Sequence, residues 1–240
     1  MIVQACINGA RPSGFHPRLP LTKEAMIRDS IQCVEAGASE LHIHPRDADR
    51  RESLDAVDDL MVSLRVACPD TPIGVSTGAW IERNEEATRT CIANWTALPD
   101  YASVNLSEPD APGVISLLNL KGVGVEAGLA TVEDAKRFLT LADSIQVFRI
   151  LIEIEEQNQD EADRIADDIA AVLGEAGISR PVLLHGFDAT VWHFVKLARK
   201  RLWSTRVGLE DGRILTRGGV AESNADLVAE AVEIFRRQPE

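Results

Sequence analysis

Eight short β-type runs alternate with eight longer amphipathic ones along the whole chain, and no other feature limits the fold as tightly. The β-type runs are 2–8 (IVQACIN), 40–44 (ELHIH), 72–76 (PIGVS), 101–106 (YASVNL), 122–126 (GVGVE), 145–154 (IQVFRILIEI), 181–186 (PVLLHG) and 205–209 (TRVGL). Helical stretches over 22–36, 53–67, 82–96, 111–119, 131–141, 159–176, 188–202 and 223–237 lie between and after them. Thr22 ahead of KEAM, Ser53 ahead of LDAVDDL, and the pair Ser223 and Asp226 read as helix starts, the last as a capping box. Gly37 and Gly177 stand where helix ends favour a left-handed residue. Eight β-α units in 240 residues match the (β/α)8 TIM barrel, which takes about 250 residues. A doubly wound open sheet is the alternative, but it usually carries a Gly-rich first turn, and no GxGxxG or GxxxxGK[ST] follows the first run. The expectation is one TIM-barrel domain spanning 1–240.

Composition narrows the function. A formal net charge of −13, with no stretch that clusters Lys and Arg among aromatics, argues against a nucleic-acid partner. The basic run Lys196–Arg201 reads as the last turn of a helix, where cations complement the dipole. Cys6, Cys33, Cys68 and Cys91 show no CxxC spacing, so neither a cysteine zinc site nor a disulfide is expected. The opening MIVQACING lacks the flanks of a signal peptide, and no apolar run approaches the ~18 residues of a membrane span. A cytoplasmic protein with reduced thiols and no membrane partner is the expectation.

Barrel chemistry sits at the C-terminal ends of the strands. Those ends carry Asn8, His42 and His44, Ser76 and Thr77, Ser103 and Asn105, Glu126, His185, and then Arg206, Glu210 and Asp211. Alternation in ELHIH puts His42 and His44 on one face and Leu41 and Ile43 on the other. Glu210 follows the eighth run, and strands 8, 1 and 2 are neighbours in a closed barrel, so the three side chains can converge. Two histidines and a carboxylate suit a catalytic zinc with an open position, and iron uses the same set. The plainer reading of HxH is a pair of partly exposed histidines. The strand-end position and the acid after run eight favour the metal. His16, in a Pro-rich loop, is expected to be solvated, although that loop can reach the site. His185 is expected to support the site or touch substrate, and His193 to pack within its helix.

The ordered set EAGASELHIHPRD, STGA, ASVNLSE, RVGLEDG and GGVAESNADLV resembles the β-keto acid cleavage enzymes, and the likeness runs through most of the chain. The resemblance implies a zinc-dependent TIM barrel that condenses a β-keto acid with acetyl-CoA to give acetoacetate and a new acyl-CoA. Carried over residue by residue, it makes His42, His44 and Glu210 the zinc ligands and Ser76, Arg206 and Asp211 the catalytic group. Ser103 takes the place of a strand-4 hydroxyl residue, and Thr77, Asn105, Glu126 and Arg11 are the expected substrate contacts. The family commonly assembles as a homo-oligomer.

Two departures stand out. Some members carry an acid just after the strand-1 Gly-Ala, where this chain has Arg11 after Gly9-Ala10; a contact from Arg11 to an acidic substrate tail or a CoA phosphate is the corresponding hypothesis. The family's Gly-rich substrate loop near strand 6 is also reduced, because FRILIEIEEQNQDEADR runs directly into a helix. Two other functions stay open: a different metal-dependent lyase or hydrolase, and a non-catalytic relative with an altered loop.

Overall fold

A computed structural model describes residues 1–141 and 146–237; Ile145, first residue of the expected sixth run, lies outside them. The strands are β1 (Val3–Cys6), β2 (Glu40–Ile43), β3 (Ile73–Ser76), β4 (Tyr101–Asn105), β5 (Gly124–Leu129), β6 (Arg149–Ile154), β7 (Val182–Gly186) and β8 (Thr205–Val207). The helices that follow them in turn are α1 (Lys23–Glu35), α2 (Val57–Ala67), α3 (Glu85–Asn94), α4 (Ala111–Lys121), α5 (Val132–Thr140), α6 (Gln159–Glu175), α7 (Val191–Lys200) and α8 (Asn224–Arg236). All strand pairs are parallel, in the order β7-β6-β5-β4-β3-β2-β1-β8. The remaining seam, between β7 and β8, is joined by a Leu183–Ser204 bridge. There Leu184 N–H donates to Ser204 O at 3.0 Å and Ser204 N–H to Val182 O at 2.9 Å. The ring is a TIM barrel, as the eight repeats imply.

Alternation builds it. Outward-facing Ala5 and Ile7, Leu41 and Ile43, Ile73 and Val75, and Ile150, Ile152 and Ile154 are fully buried under the helices, and each valine, leucine or isoleucine among them contributes about 1.5–3 kcal/mol by leaving water. Thr22 accepts from Ala25 N–H, and Ser223 with Asp226 forms the expected capping box. Ser53 does not cap: a 3-10 turn over Leu54–Ala56 precedes α2, and the Glu82 carboxylate takes Leu54 N–H at 2.8 Å. Basic Arg199 and Lys200 occupy the last turn of α7.

Strand 5 extends three residues beyond the run 122–126, because Ala127 and Leu129 continue the buried alternation. Glu126 is therefore inside the barrel rather than at a strand end. It belongs to a buried network that fills the lower interior. Gln4 Nε2 donates to Tyr101 Oη at 2.9 Å, Glu40 at 3.1 Å and Glu126 at 3.3 Å. Arg149 Nε donates to Glu126 at 2.5 Å, and its Nη2 pairs with Glu40. Two carboxylates thus share one guanidinium, which lets the charges sit out of water. Among the described residues no helix is long and apolar enough to cross a membrane.

Candidate active site

The C-terminal mouth is organised by β1, β2 and the turn after β8. Asn8 extends the β1–β2 ladder by one rung: its Oδ1 accepts from His44 N–H and its Nδ2 donates to His44 O, both at 2.9 Å. This holds His44 just above His42, with ring centroids 5.3 Å apart. The β8 turn is tied down by Glu210 N–H to Cys6 O at 3.3 Å and by Gly212 N–H to Gly208 O at 2.9 Å. Gly9, at φ +55°, must be glycine, because a Cβ there would lie 2.3 Å from Glu210 Cγ. Close approach of the two loops presses Glu210 toward the histidines.

His42, His44 and Glu210 each offer a ligand atom, and these atoms lie within 4.8 Å of one another. All three residues are buried. His42 Nδ1 and Glu210 Oε2 have no hydrogen-bond partner among the described residues, which fits donors that face a cation, since buried polar atoms otherwise find partners. Burial, helped by the charges of Arg206 and His44 and opposed by Glu210, pushes His42 down to about 3, so it is neutral. Burial also works against charge on His44, but the Glu210 and Glu52 carboxylates outweigh it and lift it to about 9. Burial opposes ionisation of Glu210 as well; Arg206, His44 and His42 prevail and hold it well below the usual carboxylate range.

Beneath this group lies Arg206, 2 % exposed. Its Nη2 donates to Glu210 at 2.7 Å and to Asp211 Oδ1 at 3.0 Å, and its Nε to Asp211 Oδ1 at 3.2 Å. Asp211 Oδ2 has no hydrogen-bond partner among the described residues. His185 Nδ1 sits 3.3 Å from Asp211 Oδ1 and its Nε2 3.7 Å from Glu153. Burial and Arg206 disfavour charge on His185, yet Asp211 and Glu153 raise its pKa. Ser76 is buried at the end of β3, where its hydroxyl accepts from Gly78 N–H at 3.2 Å rather than from Arg206.

A cavity of about 500 Å³ opens above, lined by Arg11, His44, Trp80, Asn105, Glu153, Glu155, Gln157, Phe187, Asp188 and Glu210 among others. Of the expected substrate contacts, Arg11 and Asn105 line it. Thr77 donates to Ser103 O at 2.7 Å and lines a separate cavity of about 240 Å³ between the loops after β3 and β4. Ser103 is buried in β4, and Glu126 is committed to Arg149. Arg11 is held in place: it donates to Glu210 O at 2.8 Å and Asp211 O at 3.0 Å and pairs with Asp188 at 3.0 Å. The β6–α6 connection is only residues 155–158, so the chain runs from strand to helix with a short turn between them.

His16 is buried rather than solvated. Arg18 N–H donates to its Nδ1 at 3.2 Å, so Nε2 carries the proton given to Ala221 O at 2.9 Å. His193 lies 2.6 Å from Asp163 and joins α7 to α6. Sequence reasoning passed over Glu52, Trp80, Glu153 and Asp188. Parity along β6 marks Glu153 as inward with Arg149 and Leu151. Glu52 is signalled only by the turn residues Asp47, Ala48 and Asp49 between it and His44.

An eight-stranded parallel barrel with polar groups gathered at its C-terminal mouth is the frame of a TIM-barrel enzyme. The chain belongs to the beta-keto acid cleavage enzyme family, whose model matches residues 1–146. It is 33% identical over 89 residues to the 3-keto-5-aminohexanoate cleavage enzyme of Acetoanaerobium sticklandii, covering 36% of this chain and 33% of that one. It is 35% identical over 81 residues to the enzyme of the same name from Fusobacterium nucleatum, covering 32% and 30%. The chain thus spans about a third of the length of these relatives. Among solved structures it resembles a ternary complex of ObcA with a C4-CoA adduct and oxalate, with TM-score 0.73 at 16% identity over 90% of this chain and 63% of that one. It also resembles type I 3-dehydroquinate dehydratase from Clostridium difficile, with TM-score 0.66 at 13% identity over 99% and 93%. These two likenesses support the fold alone.

Proposed function

We propose that this barrel is a zinc-dependent β-keto acid cleavage enzyme that converts a β-keto acid and acetyl-CoA into acetoacetate and a new acyl-CoA. The observation that carries the reading is the convergence of His42, His44 and Glu210 at the cavity floor, directly above the Arg206–Asp211 pair. A zinc-type cation held by those three residues would act as a Lewis acid on the keto oxygen. Asp211 is the proton-moving group: Arg206 holds Oδ1, which leaves Oδ2 to take a proton from the methylene between the keto and carboxyl groups. The resulting carbanion attacks the acetyl-CoA carbonyl and expels CoA thiolate. The thiolate attacks the keto carbon, whose bond to the former methylene then breaks to give the acyl-CoA, and Oδ2 returns the proton to yield acetoacetate. Arg206 keeps both carboxylates oriented through charge-assisted bonds. Asn105 faces the bound acid at the cavity wall, and Arg11 beside it braces the turn that carries Glu210 and Asp211. The four buried cysteines are free, which suits a reducing compartment, and we place the enzyme in the cytoplasm.

The four-residue β6–α6 connection favours a second reading, a lyase or hydrolase in which the cavity admits water instead of a thioester. One experiment separates them: a panel of β-keto acids incubated with zinc, with and without acetyl-CoA, and assayed for acetoacetate. Acetoacetate that requires acetyl-CoA supports the first reading, and keto acid consumed equally without it supports the second.

A further inference from the structure

The loop after β2 folds back on itself. Arg46 and Glu52 form an antiparallel bridge, closed by Asp47 N–H to Arg51 O at 2.8 Å, Arg50 N–H to Asp47 O at 3.0 Å and Ser53 N–H to Pro45 O at 3.0 Å. Arg50 turns the chain in the left-handed region at φ +64°. Arg46 anchors the hairpin to the opposite loop by donating to Gly9 O at 2.5 Å. The consequence is that Glu52, eight residues after His44 in sequence, returns to its side.

The two carboxylate oxygens of Glu52 are both used. Oε1 contacts His44 Nδ1, and Oε2 accepts from Trp80 Nε1 at 3.0 Å. The Trp80 ring also stacks on the His44 imidazole, with centroids 6.3 Å apart and planes inclined by 23°. A carboxylate accepts and does not donate, so the proton of this contact sits on Nδ1. That leaves Nε2 as the ligating nitrogen, and Nε2 is the atom that lies 3.4 Å from Glu210 Oε1. His42 has no such partner on its Nδ1 among the described residues.

We infer that Glu52, itself held by Trp80, is the positioning residue of the metal group: it fixes the tautomer and ring angle of His44 and presents Nε2 to the cation. The inference rests on His42, His44 and Glu210 being the metal ligands. A partner carboxylate of this kind orients a ligating histidine and raises its basicity, and its loss typically weakens metal binding about 10–100-fold.

The test measures zinc affinity of the purified protein by competition with a chromophoric chelator, together with the visible spectrum of the cobalt(II) form. Glu52→Gln is expected to weaken zinc binding by about 10–100-fold and to shift the cobalt bands, with the metal-free unfolding midpoint little changed. In that variant the amide can accept from His44 only by turning its NH2 toward the Trp80 N–H, donor against donor. Adding Trp80→Phe removes the clash and keeps the ring stack, so the double variant is expected to regain much of the lost affinity. A hairpin that merely supports the fold would not give that rescue. Glu52→Asp, which keeps both acceptors on a shorter arm, is expected to lose less than Glu52→Gln. Zinc affinity and cobalt spectrum both unchanged in Glu52→Gln would overturn the inference while leaving the metal centre in place. Full zinc binding in His44→Ala would instead remove the metal reading itself, and the inference with it.

Discussion

Replacing Gly208 by alanine would put a Cβ 1.9 Å from the Cys6 carbonyl oxygen, 2.6 Å from its carbon and 2.8 Å from Asn224 Oδ1. The first two are backbone atoms of β1 and cannot turn aside, so relief requires β1 and the β8 turn to part until that gap reaches the 3.4 Å of ordinary contact. The bonds across this seam are Glu210 N–H to Cys6 O at 3.3 Å, Leu209 N–H to Asn224 Oδ1 at 2.6 Å and Asn224 Nδ2 to Ile7 O at 2.7 Å. Overpacking of this kind costs about 1–3 kcal/mol, and each buried bond left unmade adds roughly 1–3 kcal/mol. With one or two of these bonds lost, Gly208→Ala should destabilise the fold by roughly 4 kcal/mol, a large share of the ~5–15 kcal/mol typical of a folded domain. Glu210 lies two residues further on, so zinc uptake should fall as well. Urea unfolding by circular dichroism, with slope and midpoint both fitted, reads the first effect, and chelator competition reads the second. Gly14→Ala, where a Cβ meets nothing within 4 Å, is the control and should be neutral. A Gly208→Ala protein within about 1 kcal/mol of wild type and with normal zinc uptake would refute the close β1–β8 approach.

Three further outcomes are expected. Asp211→Asn keeps the shape but removes the base, so kcat for acetoacetate formation should drop at least ~100-fold with zinc still bound; near-normal turnover would reduce Asp211 to a brace for the turn. Burial lifts the Asp29 carboxyl from 3.8 to about 6 against its bond from Asn224. The folded state therefore binds the proton more tightly than the unfolded chain, and stability from this group is present at low pH and lost as pH rises from about 4 to 6, by roughly 3 kcal/mol. In Asp29→Asn that part of the decline should disappear from urea midpoints measured at pH 4 and pH 7.5, and an unchanged difference between the two would count against it. Arg11→Gln should loosen the turn that carries Glu210 and Asp211 and lower kcat more than it raises KM, whereas a pure KM effect would point to direct substrate contact.

Period-2 and period-3.6 patterning is written locally, so the chain by itself determines eight strand–helix units, their order and hence the barrel. Parity does the same for the inward set, because side chains two apart on a strand share a face whatever surrounds them. His42, His44, Arg206 and Glu210 were legible for that reason, and the short β6–α6 connection was plain from FRILIEIEEQNQDEADR. Tertiary structure alone decided where a strand stops and what a side chain meets on arrival. Glu126 looks like a strand-end acid until the β4 and β6 ladders carry β5 on to Leu129, after which its partner is Arg149. His16 looks solvated until Ala221, 205 residues away, closes over it. Arg11 is read as an open cation, yet Asp188 and two carbonyls of the β8 turn hold it. Glu52 reaches His44 only because a hairpin pinned by Arg46 to Gly9 brings it back. Each of these contacts joins residues whose approach is set by loop closure and strand register, and neither of those is encoded in the few residues on either side.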